Sequence, residues 1–270
     1  MTTVAYGIAF PASHAVLAPP DYSAAVQQFF ARASSLPDAW KPAYANLIDT
    51  FVTTGIWSVR DWLAVFAAPD QTTALTELKG FSITLSAVNA PTFTAKQGFN
   101  GDGSTKYVDT TFAPADGVQM QNNSGSFSLG LLSNRAAGND FHGVYDSALG
   151  SALRIDPRRS DDSTTVGVND FTISGGPSGG TCVGLICGNR SGASTVQAYK
   201  NGALLVNASV ASTGRTTYKM ALCANRRNSG AIFPNTEIVG YAAVGGSMTS
   251  TQALAEYNAW QQFLSDISGL

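Results

Sequence analysis

Glutamate is nearly missing from this 270-residue chain: Glu77, Glu237 and Glu256 are the only three. Histidine is scarcer still, with His14 and His142 alone. General acid–base catalysis and metal binding draw mainly on Glu, His and Asp, so these counts remove many catalytic designs. Charge of either sign is thin. Charged residues make up 13% of the chain, and the 16 basic and 18 acidic side chains nearly cancel; soluble domains usually carry about 25%. Without a positive field, neither nucleic acid nor an anionic membrane is an expected partner. No apolar run approaches the ~18 residues that cross a bilayer. The absence of any Gly-Lys dipeptide excludes a P-loop. The first twenty residues lack a basic segment and are broken by Pro11, Pro19 and Pro20, so no signal peptide is expected. Three cysteines cannot all pair. Cys182 and Cys187 sit on opposite faces of a strand-like run, which predicts buried free thiols and folding in a reducing cytoplasm.

With charge so scarce, the polar surface must come from Ser, Thr, Asn and Gly, a composition of secreted, adhesive or virion proteins. Residues 1–20 read as an extended arm without a period. Residues 21–79 read as four short helices. Asp21 caps the first, which carries Tyr22, Val26, Phe29 and Ala33 on one face. Pro42 opens the second, striped by Tyr44, Leu47, Ile48 and Phe51 and ended by Gly55. Ser58 and Asp61 open a third with Val59, Trp62, Leu63 and Phe66, and a fourth runs from Asp70 toward Gly80. From Phe81 the period changes to two. FSITLSAV, SFSLGLL, TYKMALCAN and EIVGYAAVGG read as strands, and Asn201-Gly202 marks a type I′ hairpin between TVQAYK and ALLVNASV. Thr249 and Gln252 form a capping box for a closing helix with Leu254, Tyr257, Trp260 and Leu264. The expected fold is mainly β: a two-sheet antiparallel sandwich over residues 80–270, preceded by a small helical module and closed by a helix. The aromatic stripes Phe29/Phe30, Trp57/Trp62 and Tyr257/Trp260 are expected to pack partly within the chain and partly against another subunit.

Three segments sharpen that expectation. GFNGDGSTKYVDT (98–110) resembles the opening signature of laminin-G/concanavalin-A-like jelly rolls, VQAYKNGALLVNA (196–208) their hairpin, and EIVGYAAVGGSMTSTQALAEYN (237–258) their last strand and helix. The run LIDTFVTTGIWSVRDWLAVFAAPDQTTALTELKG, followed by Val88–Thr94, resembles a module of tailed-phage and prophage virion proteins. The resemblance implies a structural or adhesion component of a phage particle, made in the bacterial cytoplasm, associated with other virion subunits and homo-oligomeric. It departs from calcium-binding laminin-G domains in lacking an acidic rim cluster, so no metal or other cofactor is implied.

Chemistry-bearing motifs are few. Gly176-Pro177-Ser178-Gly179-Gly180 fits G-x-S-x-G, but a strand follows it and both histidines precede it, against the hydrolase order. A Gly-rich loop is expected instead. The Glu-x-Asp-x-Glu strand of concanavalin-like glycosidases is absent, and Asp161-Asp162 beside Arg158-Arg159 reads as a solvated turn. The richest remaining stretch is NDFHGVYDSALGSALRIDPRR (139–159). It gathers Asp140, His142, Tyr145, Asp146, Arg154, Asp156, Arg158 and Arg159, and an aromatic face beside carboxylates and guanidinium groups suits sugar recognition. The alternative is two ordinary sheet strands with Tyr145 in the core. The function expected is a non-enzymatic virion protein (head decoration, fibre or baseplate-associated), with a host-surface glycan as a possible partner. The alternative is a capsule or lipopolysaccharide depolymerase.

Overall fold

The computed structural model describes residues 22–135, 138, 141–171, 174–228 and 230–270. The arm of residues 1–20, Asp21 and the candidate ligand Asp140 lie outside them. Five α-helices are present among the described residues: α1 (Ala24–Arg32), α2 (Lys41–Thr53), α3 (Ile56–Val59), α4 (Gln71–Ala74) and α5 (Ser250–Ser268). The strands of the first half are β1 (Arg60–Val65), β2 (Ser86–Val88), β3 (Thr92–Thr94), β4 (Gly98–Asn100), β5 (Tyr107–Asp109) and β6 (Gly125–Leu131). Then follow β7 (His142–Asp146), β8 (Ser151–Asp156), β9 (Ser163–Val168), β10 (Ser174–Pro177), β11 (Gly184–Gly192) and β12 (Thr195–Lys200). The last are β13 (Ala203–Ser209), β14 (Ala221–Leu222), β15 (Ala224–Arg227), β16 (Ala231–Pro234) and β17 (Ile238–Gly245).

Two sheets face each other. Sheet A runs β13-β12-β11-β6-β17-β4-β3, with β1 also on β17; sheet B runs β10-β9-β8-β7-β14-β5-β2, with the β15–β16 hairpin attached through β7. Pairing is antiparallel except where β15 meets β7 in parallel. Phe99, Phe127, Leu129 and Ile186 from sheet A meet Val144, Leu153, Ile155 and Val166 from sheet B in a dry core. The fold is the jelly-roll sandwich expected.

One predicted helix is a strand. Residues 60–65 are buried at every position. Trp62 and Ala64 enter the sandwich core, while Leu63 and Val65 join the helices. A strand buried on both faces is apolar throughout, so its sequence mimics one helical stripe. Between Gly55, which takes the left-handed conformation at φ 73°, and Gly80, only the single turn α3 and the short α4, capped by Asp70, are helical. The strand expected from Phe81 begins at Ser86, because Glu77 takes the N–H groups of Gly80 and Phe81 before any ladder can. TYKMALCAN is likewise interrupted where Cys223 adopts a positive φ.

Helices α1, α2 and α5 cover the outer side of sheet A: Val26, Phe29, Tyr44, Ile48 and Phe51 pack with Trp260 and Phe263 on Leu63, Val65, Tyr241 and Ala243. Of the aromatic stripes, Phe29, Trp62 and Trp260 are buried within the chain, and Phe30, Trp57 and Tyr257 are half-buried. The capping box of α5 is formed as expected, but its buried face is Ala253, Glu256, Trp260, Phe263 and Ile267, leaving Leu254 outside. Glu256 turns that face inward. Its carboxylate pairs with Arg60 at 2.5 Å and accepts from Ser128 and Tyr241, and Arg60 also donates to Ser126 and Ser128.

Candidate functional site

None of these three longer helices covers sheet B, and the predicted segment 139–159 lies there. Along β7 and β8 the core takes Val144, Leu153 and Ile155. Alternation therefore turns Gly143, Tyr145, Ala152, Arg154 and Asp156 to the outer side. The segment FHGVYD alternates as expected, but Tyr145 sits on the outer face, half-buried, and His142 on the inner one. The structure divides the remaining candidates into an internal ionic network and a surface rim.

The internal network holds His142 and Asp156 with two residues the sequence did not single out, Arg135 and Glu237. Arg135 Nε lies 2.5 Å from Glu237 Oε1, and its Nη2 donates to Asp156 Oδ1 at 3.3 Å. His142 Nδ1 accepts the Cys223 N–H at 3.1 Å, so the ring carries its proton on Nε2, 3.6 Å from Glu237 Oε2. Burial works to raise the Glu237 carboxyl, but His142 and Arg135 hold it below its ordinary value. Burial dominates at Asp156, pushing it up to about 7 despite Arg135, Arg159 and Arg154. His142 and Asp156, two of the expected ligand residues, are thus buried and face Glu237, Arg135 and Arg159 rather than solvent.

Arg154 is also buried, yet it organises the surface. Its guanidinium lies 5.0 Å from the Phe141 ring centroid and 5.4 Å from that of Phe171, and Nη2 donates to the Phe171 carbonyl at 3.2 Å. Gly167, opposite Arg154 in β9, leaves room for the side chain to cross the sheet: a Cβ there would lie 3.4 Å from Arg154 Cγ. Phe171 stacks on Tyr145 at 4.8 Å and remains 47% exposed. The result is a rigid aromatic platform held by a guanidinium. Phe171 was missed because a lone aromatic after a loop Asn-Asp pair has no period to mark it.

Arg158 and Arg159 stay at the rim. Arg158 Nε is 2.6 Å from Asp162 Oδ1, which also accepts from Ser178 Oγ at 2.8 Å. That bond, with Gly180 N–H donating back to Ser178, makes the G-x-S-x-G stretch a locked loop after β10. Arg159 borders a cleft of about 350 Å³ lined also by Asp161, Ser163, Thr165 and Gly175. Asp146, at the other end of β7, is occupied by the N–H groups of Ala148 and Leu149 and the Thr216 hydroxyl. Among the described residues, no three His, Cys, Asp or Glu side chains converge as a metal site requires. No helix there is long and apolar enough to cross a membrane.

No family model and no curated protein matches the chain. Solved structures do. The chain is similar to the binding domain of botulinum neurotoxin serotype D at 7% identity and a TM-score of 0.53, over 74% of this chain and 52% of that one. The binding domain of botulinum neurotoxin DC, solved in complex with rat synaptotagmin II, gives 8% identity and 0.53, over 74% and 51%. Domain 4 of a GH43 extracellular arabinanase from Geobacillus stearothermophilus, in complex with arabinotriose, gives 12% identity and 0.46, over 74% and 98%. The chain spans about half the length of the toxin domains it matches. At these identities the likeness is one of fold: a jelly-roll sandwich of the kind found in these binding domains.

Proposed function

We propose that this chain is a non-enzymatic binding module, carried as a structural component of a phage particle, whose sheet B rim engages a host-surface glycan. The observation that carries the binding site is the asymmetry of the sandwich. Helices cover sheet A, whereas sheet B presents the Tyr145–Phe171 platform and, apart from it, a cleft lined by Arg159, Asp161, Ser163 and Thr165. Saccharides bind through such combinations, the CH face of the ring on an aromatic and the hydroxyls on polar groups.

A binding role is favoured over hydrolysis by the state of the carboxylates. Asp156, Asp170 and Glu237, the acids buried around the platform and its network, are salt-bridged to arginines rather than facing a substrate across a cleft. The likeness to toxin binding domains agrees with a binding role, and the phage setting rests on the sequence resemblance of the helical segment and the low charge. Association with other virion subunits, including copies of itself, belongs to the same reading. A glycan array combined with a reducing-end release assay tests it. Saturable binding without release is expected; release of reducing ends would make the chain a depolymerase, and no binding at all would remove the glycan.

A further inference from the structure

Resting on that reading of sheet B, we infer that the glycan is acidic, and that Arg159 receives its anionic group in the cleft floored by Thr165 and Gly175. The inference begins with an underused guanidinium. Arg159 has five N–H donors, yet its nearest acidic oxygens are Asp156 Oδ2 at 3.8 Å and Asp161 Oδ1 at 3.9 Å, both beyond hydrogen-bond reach. Each acid is anchored through its Oδ1 by another partner. Asp156 is engaged by Arg135, and Asp161 Oδ1 already accepts the N–H and hydroxyl of Ser163 at 3.1 and 2.6 Å. The neighbouring Arg158 is satisfied by Asp162 and by the Arg135 carbonyl.

The cleft is shaped to let a ligand reach that fork. Gly175 pairs with Thr165 across β9 and β10, and a Cβ at Gly175 would fall 2.4 Å from Thr164 O, so the floor stays low. Thr165 Oγ1 makes no hydrogen bond among the described residues and stands available to a sugar hydroxyl. Asp156 pairs with Thr165, and Ala152 pairs with Tyr145 four residues earlier in β8. Tyr145 therefore lies about 13 Å from Thr165 along the strands at ~3.3 Å per residue and two strands across, roughly 16 Å in all. That separation fits an oligosaccharide, with one ring on Phe171 and a charged substituent on Arg159. A planar carboxylate of a uronic acid and a sulfate ester present the same paired oxygens to a guanidinium fork.

The test uses the full chain on a glycan array in which neutral, carboxylated and sulfated oligosaccharides share backbones, followed by titration of the best binder. Arg159→Gln, Arg159→Lys and Phe171→Ala are compared with the parent, each first shown to melt normally. The expected result is selection of carboxylated or sulfated glycans over their neutral counterparts. Arg159→Gln should lower affinity at least about tenfold and erase the preference, and Arg159→Lys should retain part of it. The two acidic series decide which anion is read. Preferred binding of neutral glycans, or an acidic preference untouched in Arg159→Gln, overturns the inference. If Phe171→Ala still abolishes that binding, the reading of sheet B survives; if no glycan binds the parent chain, both fail.

Discussion

The three glutamates illustrate how this chain spends its few charges: all are buried, each with a defined task. Glu77 collects the N–H groups of Leu63, Lys79, Gly80 and Phe81; Glu237 sits with Arg135 and His142; Glu256 pins α5. Their scarcity was visible in the sequence, but the partners, far apart along the chain, were not. Asp156 gives a pH prediction. Burial raises its pKa from 3.8 to about 7, so the folded state holds this proton more tightly than the unfolded chain. Its contribution favours the fold below pH 3.8 and is lost as the pH rises through about 7. Asp156→Asn should therefore gain in melting temperature relative to the parent between pH 5 and pH 8; a constant difference would contradict the assignment. The cysteines follow the same physics. All three are free and buried, with burial pushing Cys187 up to about 11 and raising Cys182 and Cys223 as well. Thiol titration should count three after unfolding and react slowly in the native protein.

At the scale of elements, periodicity identified what lies half-exposed and failed where an element is buried on both sides. The hairpin at Asn201-Gly202 was legible because a type I′ turn needs two positive φ values, and the structure has 52° and 78°. The strand β1 was not, since burial on both faces hides the period of two. Helix α5 was placed by its cap, but its inward face was set by a buried ion pair that no local pattern encodes. Glu256→Gln should cost about 3–5 kcal/mol in chemical unfolding, because it leaves the Arg60 guanidinium buried without its counter-charge. Gly202→Ala should destabilise by roughly 1–3 kcal/mol: its Cβ would stand 2.9 Å from Leu254 Cα while holding a positive φ. A neutral outcome for either would show that the hairpin and α5 are not locked as described.

For the whole molecule, the sandwich and its closing helix were legible from strand rhythm and turn residues, whereas the joining of helices to sheet A was not. β1 belongs to sheet A and α1, α2 and α5 share a core on it, so helices and sandwich are expected to unfold together. The candidate site was legible only as a segment. Sequence gathered Tyr145, Arg154 and Arg159, but which face each occupies depended on which partners were already satisfied. The central claim is that sheet B, the side of the sandwich that α1, α2 and α5 leave uncovered, is the recognition face. A nitrogen–proton correlation spectrum of the full chain, titrated with the best array binder, tests it most directly. The account predicts that the largest shifts fall on Tyr145, Arg159, Thr165, Phe171 and Gly175. Shifts confined to α1, α2 and α5 would contradict it.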